Sequence, residues 1–168
     1  NYFHNLVING TSAASGTGYI PNTFDGLKKI LSGSDTEYTS ESDISTSALL
    51  DTNYNAFLDE LDGFLSKLAE KPDILLMNND MLTKTRAAAR RAGFYERSVD
   101  GFGRTVEKYN GIPMMDAGQY YNGSATVDVI ETSTPSTSAY GETDIYAVKL
   151  GLNASHGISV DGSKMIHT

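Results

Sequence analysis

Hydrophobic and polar positions alternate most regularly between Asp51 and Gly93. Tyr54, Phe57, Leu58, Leu61, Phe64, Leu65 and Leu68 recur at i, i+3, i+4, i+7, i+10, i+11 and i+14, a single apolar stripe at helical period. Asp59, Glu60, Asp62, Lys67 and Glu70 lie off the stripe. Asp51 or Thr52 is the expected N-cap, and Lys71-Pro72 the expected end. Gly63, mid-helix and off the stripe, costs about 1 kcal/mol relative to alanine. Ile74 to Met77 then form a continuous apolar run between Pro72-Asp73 and Asn78-Asn79, the pattern of a strand buried on both faces. Asn79 or Asp80 is expected to cap a second, alanine-rich helix running to Ala92, with Gly93 as its C′ residue.

The flanks are richer in Gly, Ser, Thr, Asn and Tyr. Residues 1–10 fit either a strand or the end of a helix, and residues 9–18 a small-residue loop. Phe24, Leu27, Ile30 and Leu31 share one face of a short helix opening near Asn22 or Thr23. Residues 32–47 read as an acidic, exposed loop carrying Asp35, Glu37, Glu41 and Asp43. After Gly93 the period becomes strand-like. Residues 103–109, 111–116 and 125–131 are short β candidates, broken by the turn dipeptides Asn110-Gly111 and Asn122-Gly123. Residues 131–142 are a Ser/Thr-rich loop. Residues 143–151 form the strongest late strand, with Ile145, Ala147 and Lys149 facing one way and Tyr146, Val148 and Leu150 the other. A last short strand is expected at 157–162.

Composition narrows the chemistry. The 168 residues suit one domain and bury a core without disulfides. There is no cysteine, which removes thiolate chemistry and Cys-based metal sites. A net charge of −8 is poorly suited to phosphate neutralisation and general nucleic-acid binding. No apolar run approaches the ~20 residues of a membrane span, and no leader-like pattern opens the chain. His4, His156 and His167 lack paired-ligand spacing, the acidic residues of 32–47 lack the EF-hand pattern, and no nucleophile elbow is present. Gly16-Thr17-Gly18 lacks the lysine and the strand–turn–helix context of a phosphate loop. The expectation is a non-enzyme with no cofactor and no metal. Lys84, Arg86, Arg90 and Arg91 form a basic surface on the second helix. They are candidates for a charge-complementary contact with a neighbouring subunit, beside the plainer reading of a solvated face. Both ends read as cut from a longer chain, so a fragment is expected.

Two segments carry a resemblance: Leu76-Met77-Asn78-Asn79-Asp80-Met81-Leu82 continuing to Gly93, and Gly101 to Gly118 with Asn110-Gly111-Ile112-Pro113 at its centre. Together with Ile8-Asn9-Gly10, Phe24-Asp25-Gly26-Leu27 and Asp144-Ile145-Tyr146-Ala147-Val148-Lys149-Leu150-Gly151, they resemble, in order, the major capsid proteins of tailed bacteriophages with the Hong Kong 97 fold. The resemblance implies an α+β fold, a mixed central sheet flanked by helices, equivalent to the axial (A) domain. It places a segment from the peripheral domain at 1–22, the axial domain at 23–155 and a returning segment at 156–168, with the family's N-arm, extended loop and spine helix outside this sequence. The implied role is structural: a subunit of an icosahedral phage shell, assembled in the bacterial cytoplasm, whose partners are other copies of itself. It implies no specific nucleic-acid readout and no membrane. The piece alone is expected to be monomeric or weakly oligomeric, and the family's lysine–asparagine cross-link transfers to no residue here.

Two alternatives stay open. An encapsulin, a nanocompartment shell of the same fold, encloses cargo enzymes in place of a genome. A small α/β ligand-binding domain would use the Gly16–Gly18 loop.

Overall fold

The computed structural model describes residues 2–11, 24–93, 96–99, 105–134 and 141–151. Their helices are α1 (Tyr2–Asn9), α2 (Leu27–Leu31), α3 (Ser47–Ser66) and α4 (Asn79–Ala92). Their strands are β1 (Ile74–Met77), β2 (Glu96–Val99), β3 (Thr105–Tyr109), β4 (Ile112–Asp116), β5 (Gln119–Tyr121), β6 (Thr126–Asp128) and β7 (Tyr146–Val148). The protein is α+β. Five strands form one sheet in the order β2-β3-β4-β1-β7, and β5 pairs with β6 in a separate ribbon. The main sheet is mixed: β1 runs parallel to β4 and antiparallel to β7.

The central strand behaves as its sequence predicts. Leu75 and Met77, both fully buried, project into one core with α3, α4, Tyr109, Ile112 and Met114. Ile74 and Leu76 project oppositely, against a second core of Ile8, Val129, Ile130, Tyr146 and Val148. An uninterrupted apolar run is what two cores, one on each face, require. On β7, Tyr146 and Val148 enter the second core while Ile145 and Ala147 pack on the first, as the alternation predicts.

Both long helices form, with shifted ends. Helix α3 starts at Ser47, ahead of the expected Asp51, because Thr46 caps it and accepts from the Leu49 amide at 3.2 Å. The extra turn brings Leu50 into the first core. The helix stops at Ser66, short of the expected Lys71-Pro72, where Lys67 N–H turns back to Phe64 O at 3.1 Å. A methyl group at Gly63 would meet the Tyr38 ring at an ordinary 3.8 Å, so packing does not demand glycine there. Helix α4 is capped one residue ahead of Asn79, by Asn78, and closes on Gly93 at φ 81° as expected.

The remaining expectations fare unevenly. Tyr2–Asn9 is helical, which resolves the open choice for this segment. The short helix around 24–31 begins only at Leu27. Before it, Gly10 and Gly26 bring two backbones together, with Gly26 N–H donating to Gly10 O at 2.8 Å. A methyl at Gly10 would overlap the carbonyl oxygens of Leu6 and Phe24, so this approach requires glycine. The shared apolar face fails at Ile30, which is 62% exposed, while Leu27 and Leu31 reach the second core. Strands β3 and β4 meet through Asn110-Gly111, both at positive φ (49° and 72°), the two-residue hairpin turn that the dipeptide predicts. The candidate at 125–131 divides: Thr126–Asp128 pairs with β5, and Val129 and Ile130 sink into the second core. Strands β2 and β5 were not anticipated. The expected strand at 157–162 and the Gly16–Gly18 loop lie outside the described residues, as does all of 156–168. Helix α1, which makes up most of the described part of 1–22, packs against α2 and the second core through Ile8.

Candidate functional site

The basic row of α4 is the surface that the sequence singled out, and the fold assigns its members different work. Arg86 is half-buried and reaches β3, where its Nε lies 2.8 Å from Glu107 Oε1 and 2.9 Å from Oε2. Arg91 Nε pairs with Asp51 of α3 and Arg91 Nη1 donates to Ala87 O at 3.3 Å. Lys84, partly buried, adds to the field that lowers the Asp43 carboxyl, behind the larger effect of the Ser45 backbone hydrogen bond. Arg90 is exposed and has no ion-pair partner among the described residues. Helical spacing predicts the row, but not which members are engaged within the chain, because Asp51 and Glu107 lie 40 and 21 residues away.

Asn78 was named only as a boundary and is a hub. It is 1% exposed. Its Oδ1 accepts from the Met81 amide at 2.9 Å, while Nδ2 lies 3.2 Å from Ile130 O, 3.0 Å from Thr132 Oγ1 and 3.0 Å from Thr143 Oγ1. One side chain therefore ties the end of β1 and the start of α4 to two later segments. Tyr109, 3% exposed, donates to Asp62 Oδ1 at 2.9 Å and to Leu58 O at 3.4 Å, joining β3 to α3. Burial, then the hydrogen bond and charge of Asp62, push its phenol well above the usual 10. These are framework contacts.

An open depression of about 510 Å³ is lined by Asn9, Gly10, Thr11, Lys28, Lys29 and Ser32. Its two lysines already face carboxylates, Lys28 with Asp144 at 3.9 Å and Lys29 with Asp25 at 2.7 Å. No group of three or more His, Asp or Glu converges among the described residues, and no helix there is long and apolar enough to cross a membrane. Apolar side chains reach solvent at several separate places, including Val99, Met115 and Tyr121, which are 68%, 50% and 65% exposed.

The chain matches no protein-family model, no curated protein and no solved structure.

Proposed function

We propose that this chain is the axial domain of a shell-forming capsid subunit of the Hong Kong 97 type. The observation that supports this most is the spatial coincidence of the resembling segments. Leu76–Gly93 supplies the end of β1 and all of α4, the Asn110-Gly111-Ile112-Pro113 segment supplies the β3–β4 hairpin, and 144–151 supplies β7. These are four contiguous strands of the mixed sheet, β3-β4-β1-β7, with a helix packed on them. A resemblance that falls on the sheet's centre concerns the framework, where fold is specified. The role needs rigid subunit surfaces and no catalytic centre. Its partners are further copies of the same chain, contacted through polar loops and through Lys84 and Arg90, the members of the α4 row without an ion pair among the described residues, with Arg86 and Arg91 holding α4 in place. The assembled location is a virion shell built in a bacterial cytoplasm. The isolated chain is monomeric or weakly associating.

The test is to express the complete gene product carrying this sequence and image the fast-sedimenting fraction by electron microscopy. Regular closed shells or capsomers are expected. Their complete absence under every assembly condition would defeat the reading. The contents separate phage capsid from encapsulin: packaged nucleic acid for the first, a cargo protein for the second.

A further inference from the structure

Residues 34–46 cross the outside of α3 without forming helix or strand. Backbone-to-backbone bonding among the described residues of this stretch lapses between Glu37, whose N–H donates to Ser34 O at 3.0 Å, and Thr46, whose O accepts from Leu50 N–H at 2.8 Å. From Tyr38 onward the ties are made by side chains. The Glu60 carboxylate of α3 accepts from Ser40 Oγ and, at 3.3 Å, from the Glu41 amide. Ser40 Oγ in turn accepts from the Ser42 amide at 3.3 Å. Asp43 Oδ1 accepts from the Ser45 amide at 2.8 Å, and Asp43 O accepts from Asn53 Nδ2 at 2.8 Å. Two anchors bracket this stretch. At one end the Tyr38 ring lies 5.0 Å from Lys67 Nζ; at the other Ile44, 7% exposed, enters the first core and Thr46 caps α3.

We propose that residues 39–43 form an acid-releasable strap, held on α3 by ionised Glu60 and freed when that carboxylate is protonated, while both cores, the Tyr38 anchor and the Ile44–Thr46 anchor stay closed. The geometry concentrates control in one group. Glu60 receives the direct bonds of Ser40 and Glu41 and, through Ser40, that of Ser42. Hydrogen bonds to an ionised acceptor are roughly twice as strong as neutral ones, so loss of the charge weakens them together. The charged groups around it are Glu41 on the strap, Asp59 beside it on α3, Lys67 further along α3 at Tyr38, and Lys84 of α4 facing Asp43. Slight burial pushes Glu60 up, but the hydrogen bonds from Ser40 Oγ and the Glu41 amide, with Ser42 close behind Ser40, prevail and hold it below the ordinary 4.5. Asp43 is held below 3.8, chiefly by the hydrogen bond from the Ser45 backbone N–H. With folded values lower than unfolded ones, these bonds stabilise the closed strap above the ordinary carboxylate range and fail as pH falls through the lowered values.

Millisecond hydrogen exchange at pH 7 and pH 3.5, corrected for intrinsic rates, tests this in the wild type and in Glu60→Gln. The expected result is about tenfold faster exchange at Glu41 and Ser42 at pH 3.5, with α4 and β1 amides unchanged, as suits a locally opening unit. Glu60→Gln should show the same acceleration at pH 7. Strap and core amides losing protection together, or Glu60→Gln leaving the strap as protected as the wild type at pH 7, would overturn the proposal.

Discussion

Asn78 shows how much a single buried amide can organise. Its Oδ1 spares the α4 N-terminus an unsatisfied amide, and its Nδ2 faces acceptors 52, 54 and 65 residues further along the chain. Asn78→Ala removes the cap and leaves buried oxygens unpaired, so a loss of about 3 kcal/mol is expected from the cap and desolvation costs combined. Urea denaturation measures it, and a loss under about 1 kcal/mol would contradict the assigned network. Tyr109 supplies an alkaline counterpart. Its phenol titrates above the ordinary value of 10 in the folded chain, so the folded state holds its proton where the unfolded chain releases it. Stability should therefore fall as pH rises beyond about 10. Urea midpoints at pH 8 and pH 11 should separate more in the wild type than in Tyr109→Phe; an equal separation would count against this. Three good capping residues stand in a row, and the pattern places the α4 cap at Asn79 or Asp80. Burial against distant partners selects Asn78, and nothing local encodes that.

At the level of elements, legibility follows how much of an element's stability is local. Helix α3 and strand β1 were readable because seven stripe residues and four consecutive apolar residues leave few other ways to be buried. The hairpin at Asn110-Gly111 was readable because the turn itself demands those residues. Strand β2, Glu-Arg-Ser-Val, and strand β5, Gln-Tyr-Tyr, carry no such pattern. They are strands because β3 and β6 pair with them, a context that only the folded chain provides. The ends of α3 were misplaced for a related reason: Thr46 lies outside the apolar stripe and announces itself only by its bond to Leu49. The contact between α4 and β3 can be measured directly. A double-mutant cycle of Arg86→Ala and Glu107→Ala should give a coupling of about 1 kcal/mol, above the median for exposed pairs because this one is half-buried. Coupling near zero would mean that Arg86 does not hold the helix to the sheet.

On the scale of the whole molecule, one mixed sheet separates two cores, and the strand with the plainest sequence signature, β1, serves both. The α+β class and the helix–strand–helix centre were legible; the strand order was not, since it depends on pairings between segments far apart in the chain. The candidate surface was legible as a basic row, yet Arg86 and Arg91 are engaged within the chain, which shifts the weight of any intersubunit contact to Lys84 and Arg90. The shell proposal makes a geometric demand beyond the presence of particles. A cryo-electron microscopy reconstruction of the assembled complete gene product tests it most directly. The account predicts closed shells with five- and sixfold capsomers in which the β2-β3-β4-β1-β7 sheet lies in the density nearest the capsomer axis. Particles without such capsomers, or shells whose axial density cannot hold this sheet, would contradict it.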